Sequence, residues 1–242
     1  MTPPPPPPHR LARATATAFR ALIAAAAATG IVIECVLGSV PLVLSFFTIW
    51  TNILVAAVFA LSAARTWQRR PDAAPLWRGG VLLYILVTGL VFHLVLANPS
   101  SPFNVAAELS ELSGAKAVAN QLLHTVTPLG AVLDFLLLTA PRTLRPRHAL
   151  QWLAYPLAYV TFALVRGALL APGTKGRYPY PFVDVALYGY ARVALNAAVL
   201  GLAFYALGLA LVAADHFRRA SPLVPAPEPV NRISSPAGGP LK

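Results

Sequence analysis

Three polar side chains in this chain have the types and spacing for nucleophilic acyl transfer. Thr48 and Asn52 stand four residues apart in Phe47-Thr48-Ile49-Trp50-Thr51-Asn52, and His124 opens His124-Thr125-Val126-Thr127-Pro128. A threonine alone is a weak nucleophile and, in an apolar helix, commonly bonds its own backbone. A histidine within hydrogen-bond reach changes that, because it can take the hydroxyl proton as the oxygen attacks a carbonyl. Asn52, one turn along the same helix, and Arg166 or Arg192 are candidate donors to the developing oxyanion. Glu34 or Asp184 could orient the imidazole. His93 is a second histidine of comparable depth, so a haem held between His93 and His124 is a further option. Asp134, about three turns beyond His124, is a candidate structural partner or proton acceptor.

Such residues need a scaffold that brings them together, and composition says what kind. Of 242 residues 57% are hydrophobic and 11% charged, with a mean hydropathy of +0.64; an ordinary soluble domain has roughly 25% charged residues. The formal net charge of +11 does not imply nucleic acid, since the basic residues lie between long apolar runs and not along one face. Six runs are long enough to span a bilayer as helices: 16–37, 42–63, 79–97, 118–139, 151–171 and 183–214. The fold class expected is an all-α, polytopic six-transmembrane-helix bundle. Proline- and glycine-containing connections separate the runs. The Pro-rich ends, 1–15 and 215–242, lack apolar residues to offset ordering entropy and are expected to be disordered tails.

The apolar stretch 21–33 within the first run follows Arg10, Arg13 and Arg20 as in a signal peptide, but no small-residue cleavage site follows, and a retained first helix is expected. The single cysteine, Cys35, excludes an intramolecular disulfide framework and reads as a packing residue. No cofactor or metal is expected.

Orientation comes from lysine and arginine. Arg10, Arg13 and Arg20 belong to the amino-terminal segment; Arg65, Arg69, Arg70 and Arg78 cluster in the second connection, Arg142, Arg145 and Arg147 in the fourth, and Arg218, Arg219, Arg232 and Lys242 follow the last run. The other connections hold only Lys116, Lys175 and Arg177. Positive residues mark the cytoplasmic side, so both termini are expected there, in a multi-pass protein of the cell membrane. Glu34, His93 and Arg166 then fall near the ends of outward-running helices, and Thr48, Thr51, Asn52, His124, Asp184 and Arg192 near the starts of inward-running ones. All share the outer half of the membrane. Asp184, Tyr188, Arg192 and Asn196 follow each other at four-residue spacing, a polar stripe on the last helix.

With these motifs in place, the chain resembles the androgen-induced (FAR/AIG-type) membrane proteins, and more closely their bacterial Pr-six-Pr relatives. The resemblance rests on the Thr48 and His124 motifs and on Tyr180-Pro181-Phe182 before the last run, and covers roughly residues 15 to 214. Animal members are threonine hydrolases of fatty-acid esters of hydroxy fatty acids, working with one threonine and one histidine inside the membrane. By motif, the resemblance implies that Thr48 is the nucleophile and His124 its base, that the substrate is lipid-like, and that an acyl-threonine is resolved by water. The alternative is a membrane transporter or binding protein for a small or lipidic ligand, whose polar cluster binds without reacting or braces the helices. No nucleic-acid partner is expected, and no feature of the sequence sets an oligomeric state.

Overall fold

A computed structural model describes residues 8–221, and every regular element among them is helical. The expected tails therefore lie outside the described residues over 1–7 and 222–242. Residues 8–15, expected as tail, are helical instead, because helix α1 runs Pro8–Leu37. Proline is well placed in a first turn, where its missing N–H removes no helical bond, and the Leu, Ala and Arg that follow are strong helix formers.

Five further helical rods follow. Helix α2 is Phe47–Trp67, and α3 is Pro75–Val91 prolonged by a π turn, Phe92–Leu96. Helix α4 consists of Gly114–Gln121, a second π turn Leu122–Val126, and Thr127–Leu137. Helix α5 joins Pro146–Trp152 to Ala154–Leu169, and α6 is Val185–Phe217. The six rods match the six expected runs in order.

Five of them, α1 from Arg10, α2, α3 with its π turn, α5 and α6, are long and apolar enough to cross a membrane. Helix α4 is not among the five, because Asn120, Gln121, His124 and Asp134 interrupt its apolar run. The outer surface is apolar too: Leu22, Leu157, Leu187 and Leu202 are each 65–71% exposed. Hydrocarbon is the solvent that fits such a surface, and the chain is a membrane protein with several spans.

Helix α3 is central, 61% of its span being buried against 17% for α6. The main core joins Ile23 and Ala27 of α1, Val55 and Phe59 of α2, Leu83 and Ile85 of α3, Phe135 of α4, Trp152 of α5 and Leu211 of α6. Trp152 donates its indole N–H to the Leu76 carbonyl at 2.8 Å, fixing α5 on α3. Helix α6 bends at Gly189, whose φ of 72° is left-handed and open to glycine without a Cβ penalty. The bend breaks the expected stripe, with Asp184 and Tyr188 on one side of it and Arg192 and Asn196 on the other.

A buried charge network closes the end of the bundle opposite Thr48. Arg20 Nε meets Asp134 Oδ1 at 2.7 Å, and Arg78 Nη2 meets Asp134 Oδ2 at 2.7 Å. Arg20 also reaches Asp72 at 3.1 Å, and Arg78 binds the same carboxylate. Two arginines and two aspartates cancel, which is how charge survives out of water. Asp134 is thus a structural partner of Arg20 and Arg78 and sits apart from His124.

Candidate active site

Thr48 lies in the first turn of α2, and His124 in the middle of the π turn of α4. Thr48 Oγ1 is 3.1 Å from His124 Nε2, inside the range of about 2.6–3.2 Å for direct proton transfer. The other ring nitrogen, Nδ1, lies 3.0 Å from the Asn120 carbonyl oxygen. A carbonyl can only accept, so Nδ1 carries the proton and Nε2 offers its lone pair to the threonine hydroxyl. The imidazole is also stacked on Phe92, with ring centroids 4.1 Å apart.

The π turn has a structural cost that Asn52 offsets. Thr127 N–H reaches back to the Leu122 carbonyl, and Pro128 has no N–H, so the Leu123 carbonyl has no helical donor. Asn52 Nδ2 donates to it at 3.2 Å and to the Thr48 carbonyl at 2.9 Å. The Thr127 hydroxyl lies 3.2 Å from Leu123 O and 2.9 Å from Asn52 Oδ1. Asn52 is fully buried and has both amide protons engaged. It is therefore no free oxyanion donor; it locks the nucleophile's helix to the histidine's turn.

The hydroxyl beside Thr48 belongs to Tyr180, and neither Asn52 nor the arginines supply one. The Tyr180 hydroxyl lies 3.3 Å from Thr48 Oγ1 and accepts from the Thr48 N–H at 3.3 Å. The Thr48 proton is directed to His124, which leaves the Tyr180 O–H to donate to Thr48 Oγ1. Burial pushes this phenol above its ordinary pKa, against hydrogen bonds from Thr48 and the Phe47 backbone that pull the other way, so it stays protonated as a donor. Tyr180 belongs to the connection between α5 and α6, and depth counting along helices had no means of assigning it.

The remaining expected residues act elsewhere. Arg166 Nη1 donates to the carbonyls of Gly176 and Arg177 at 2.8 and 2.9 Å, while Arg177 Nε donates back to Gly167 O at 2.6 Å. This clasp holds the segment that carries Tyr180. Asp184 caps α6, accepting from the N–H groups of Ala186 and Leu187, so it does not orient the imidazole. Arg192 is exposed on α6. Glu34 is half-buried near Lys116, and the Asn120 carbonyl holds the position at Nδ1 expected for it. Thr51 lies 3.5 Å from the Tyr155 hydroxyl.

His93 is exposed, with Nε2 3.1 Å from Thr125 Oγ1, whose proton goes to Gln121 Oε1 at 2.9 Å. With both nitrogens of His124 engaged as well, the two imidazoles are not arranged as a pair of axial ligands.

The reactive pair opens on a cavity of about 360 Å³. Beyond Thr48, Thr88, His124 and tyrosines, its wall is hydrocarbon, supplied by Val87 and Leu96 of α3, Val160 of α5, and Ala197, Gly201 and Phe204 of α6. A hydroxyl hydrogen-bonded to an imidazole therefore stands in the wall of an apolar chamber. Comparison of the chain with protein-family models, with curated proteins and with solved structures returns no match.

Proposed function

We propose that this chain is an intramembrane threonine hydrolase of lipid esters, of the kind that cleaves fatty-acid esters of hydroxy fatty acids. In this reading it spans the cell membrane six times with both termini in the cytoplasm, α4 being carried across among the other five helices, and Thr48 faces the outer leaflet. The observation that supports it is the 3.1 Å approach of Thr48 Oγ1 to an unprotonated His124 Nε2 at the head of an apolar cavity.

The ester carbonyl sits against Thr48 with its hydrocarbon in the chamber. As Thr48 Oγ attacks the carbonyl carbon, its proton passes to His124 Nε2, and the resulting imidazolium keeps its Nδ1–H on the Asn120 carbonyl. The Tyr180 hydroxyl is the nearest donor to the negative oxygen of the tetrahedral intermediate. Collapse expels the alcohol, which takes the proton from His124 and leaves an acyl-threonine. Water, deprotonated by His124, then releases the acid and restores Thr48.

An alkyl fluorophosphonate applied to the purified protein tests this assignment. Covalent labelling at Thr48, lost in both Thr48→Ala and His124→Ala, is the expected result. Labelling that survives both substitutions overturns the hydrolase reading.

A further inference from the structure

The wall of the cavity is uneven in a way that bears on what it holds. On α3 and α5 it is built mostly from Val, Leu, Phe and Tyr, with Thr88 and Pro156, whereas three of the five lining residues of α6 are small: Ala197, Ala198 and Gly201, beside Leu200 and Phe204. Ala197, Gly201 and Phe204 are spaced four and three apart and so share one helix face. A Cβ added at Gly201 meets no atom within 4 Å, so the absent side chain is space belonging to the chamber. The glycine fills no packing need against a neighbouring helix.

The same stretch contains the cavity's mouth. Leu157 of α5 lines the chamber and is nevertheless 65% exposed, and Ala198 of α6 is also both lining and exposed. Both lie well inside helices long and apolar enough to cross a membrane. A gap there faces hydrocarbon. From Ala197 to Phe204 the lining extends along α6 for about 10 Å at 1.5 Å per residue, and Leu153 of α5 also lines the chamber.

Resting on the hydrolase reading for the end at which the carbonyl reacts, we propose that this chamber binds a single unbranched acyl chain taken laterally from the bilayer between α5 and α6, and that Gly201 and Ala197 set the length of chain it accepts. The chain lies with its carboxyl or ester carbon at Thr48, its methylenes along Ala197 and Gly201, and its tail toward Phe204. A larger side chain at Gly201 shortens the chamber from the middle and leaves the reactive pair untouched. Each methylene forced out of an apolar pocket changes discrimination by roughly tenfold or more.

Binding can be read separately from catalysis in the full-length Thr48→Ala protein in nanodiscs, by displacement of a fluorescent fatty acid with octanoate, laurate, palmitate and stearate. The expected result is that Thr48→Ala binds the series, and that adding Gly201→Leu weakens palmitate and stearate by at least about tenfold while leaving octanoate unchanged. Ala197→Leu should act in the same direction, and serves if Gly201→Leu lowers the melting temperature. Equal weakening at all lengths, no effect of either substitution, or no binding to Thr48→Ala overturns the proposal. Fluorophosphonate labelling of the unsubstituted protein in the same discs reports on the hydrolase reading independently. Length-selective binding without labelling would keep the chamber's role and discard the chemistry.

Discussion

The rings of Phe92 and His124 lie face to face, 4.1 Å between centroids and 20° from parallel, and each sits in a π turn. Two such turns side by side are uncommon, since the π geometry is rare and concentrates at functional sites. Here the widened turn of α3 brings Phe92 over the imidazole that the widened turn of α4 aims at Thr48. Aromatic stacking of this kind contributes about 0.5–1.5 kcal/mol beyond burial. Phe92→Leu keeps most of the volume and removes the stack, and should slow fluorophosphonate labelling by about 2- to 10-fold through a less well-held base. The labelling rate at saturating probe measures it; an unchanged rate in a folded protein would remove Phe92 from the site.

Tyr180→Phe isolates the hydroxyl from the ring. The ring is held independently, stacked on Phe182 at 5.2 Å and edge-on to Phe46 at 5.6 Å, so the substituted protein should fold. Losing one donor to the oxyanion should lower ester turnover by about a hundredfold or more. KM should move little, because the lost interaction strengthens only in the transition state. A fall confined to KM would make Tyr180 a substrate contact and no more.

Gly167→Ala tests the clasp at a distance. A Cβ at Gly167 would come within 2.1 Å of the Tyr178 ring, and Tyr178 is two residues from Tyr180 on the segment that Arg166 holds. Overpacking of this sort costs about 1–3 kcal/mol. The thermal midpoint, followed by the fluorescence of the four tryptophans, should fall, and the labelling rate should fall with it although no reactive group has been altered.

The charge network predicts a pH dependence with a definite sign. Burial pushes the Asp72 carboxyl up, but Arg78 and Arg20 together with hydrogen bonds from Ser62 and the Ala73 N–H outweigh it and hold the group below its usual range. A depressed folded pKa contributes stability that is present above the unfolded value of about 3.9 and is lost as pH falls through the folded one. Melting temperature should therefore drop on acidification below about pH 4, and less steeply in Asp72→Asn. Asp134→Ala, which leaves Arg20 and Arg78 to share the single Asp72 carboxylate, should cost about 3–5 kcal/mol at neutral pH.

Much of this architecture is legible in the sequence because long apolar runs must satisfy their backbone groups internally, as helices do. The six runs predict six rods in order, and depth along them brings Thr48 and His124 to one level. Depth says nothing about rotation around a helix or about loops, which is why Tyr180 was missed and why Arg192 and Glu34 were expected in a site they do not enter. Asn52 was correctly set beside Thr48, but its use depends on an orphaned carbonyl that only a π turn followed by proline creates. Arg20 and Arg78 read as cytoplasmic markers by count, whereas each is spent on Asp134 and Asp72. The polar stripe of α6 failed at Gly189, where one left-handed residue resets the phase of everything after it.

That network also bears on how the protein is made. Arg20 arrives with the first helix, Asp72 with the connection after the second, Arg78 with the third and Asp134 with the fourth. As the chain is synthesised, the first helix carries a guanidinium with no counter-ion until later segments emerge, and an uncompensated charge is poorly tolerated in hydrocarbon. Insertion of the first two helices should therefore remain provisional, dependent on the translocation machinery or on a chaperone, until the fourth rod docks.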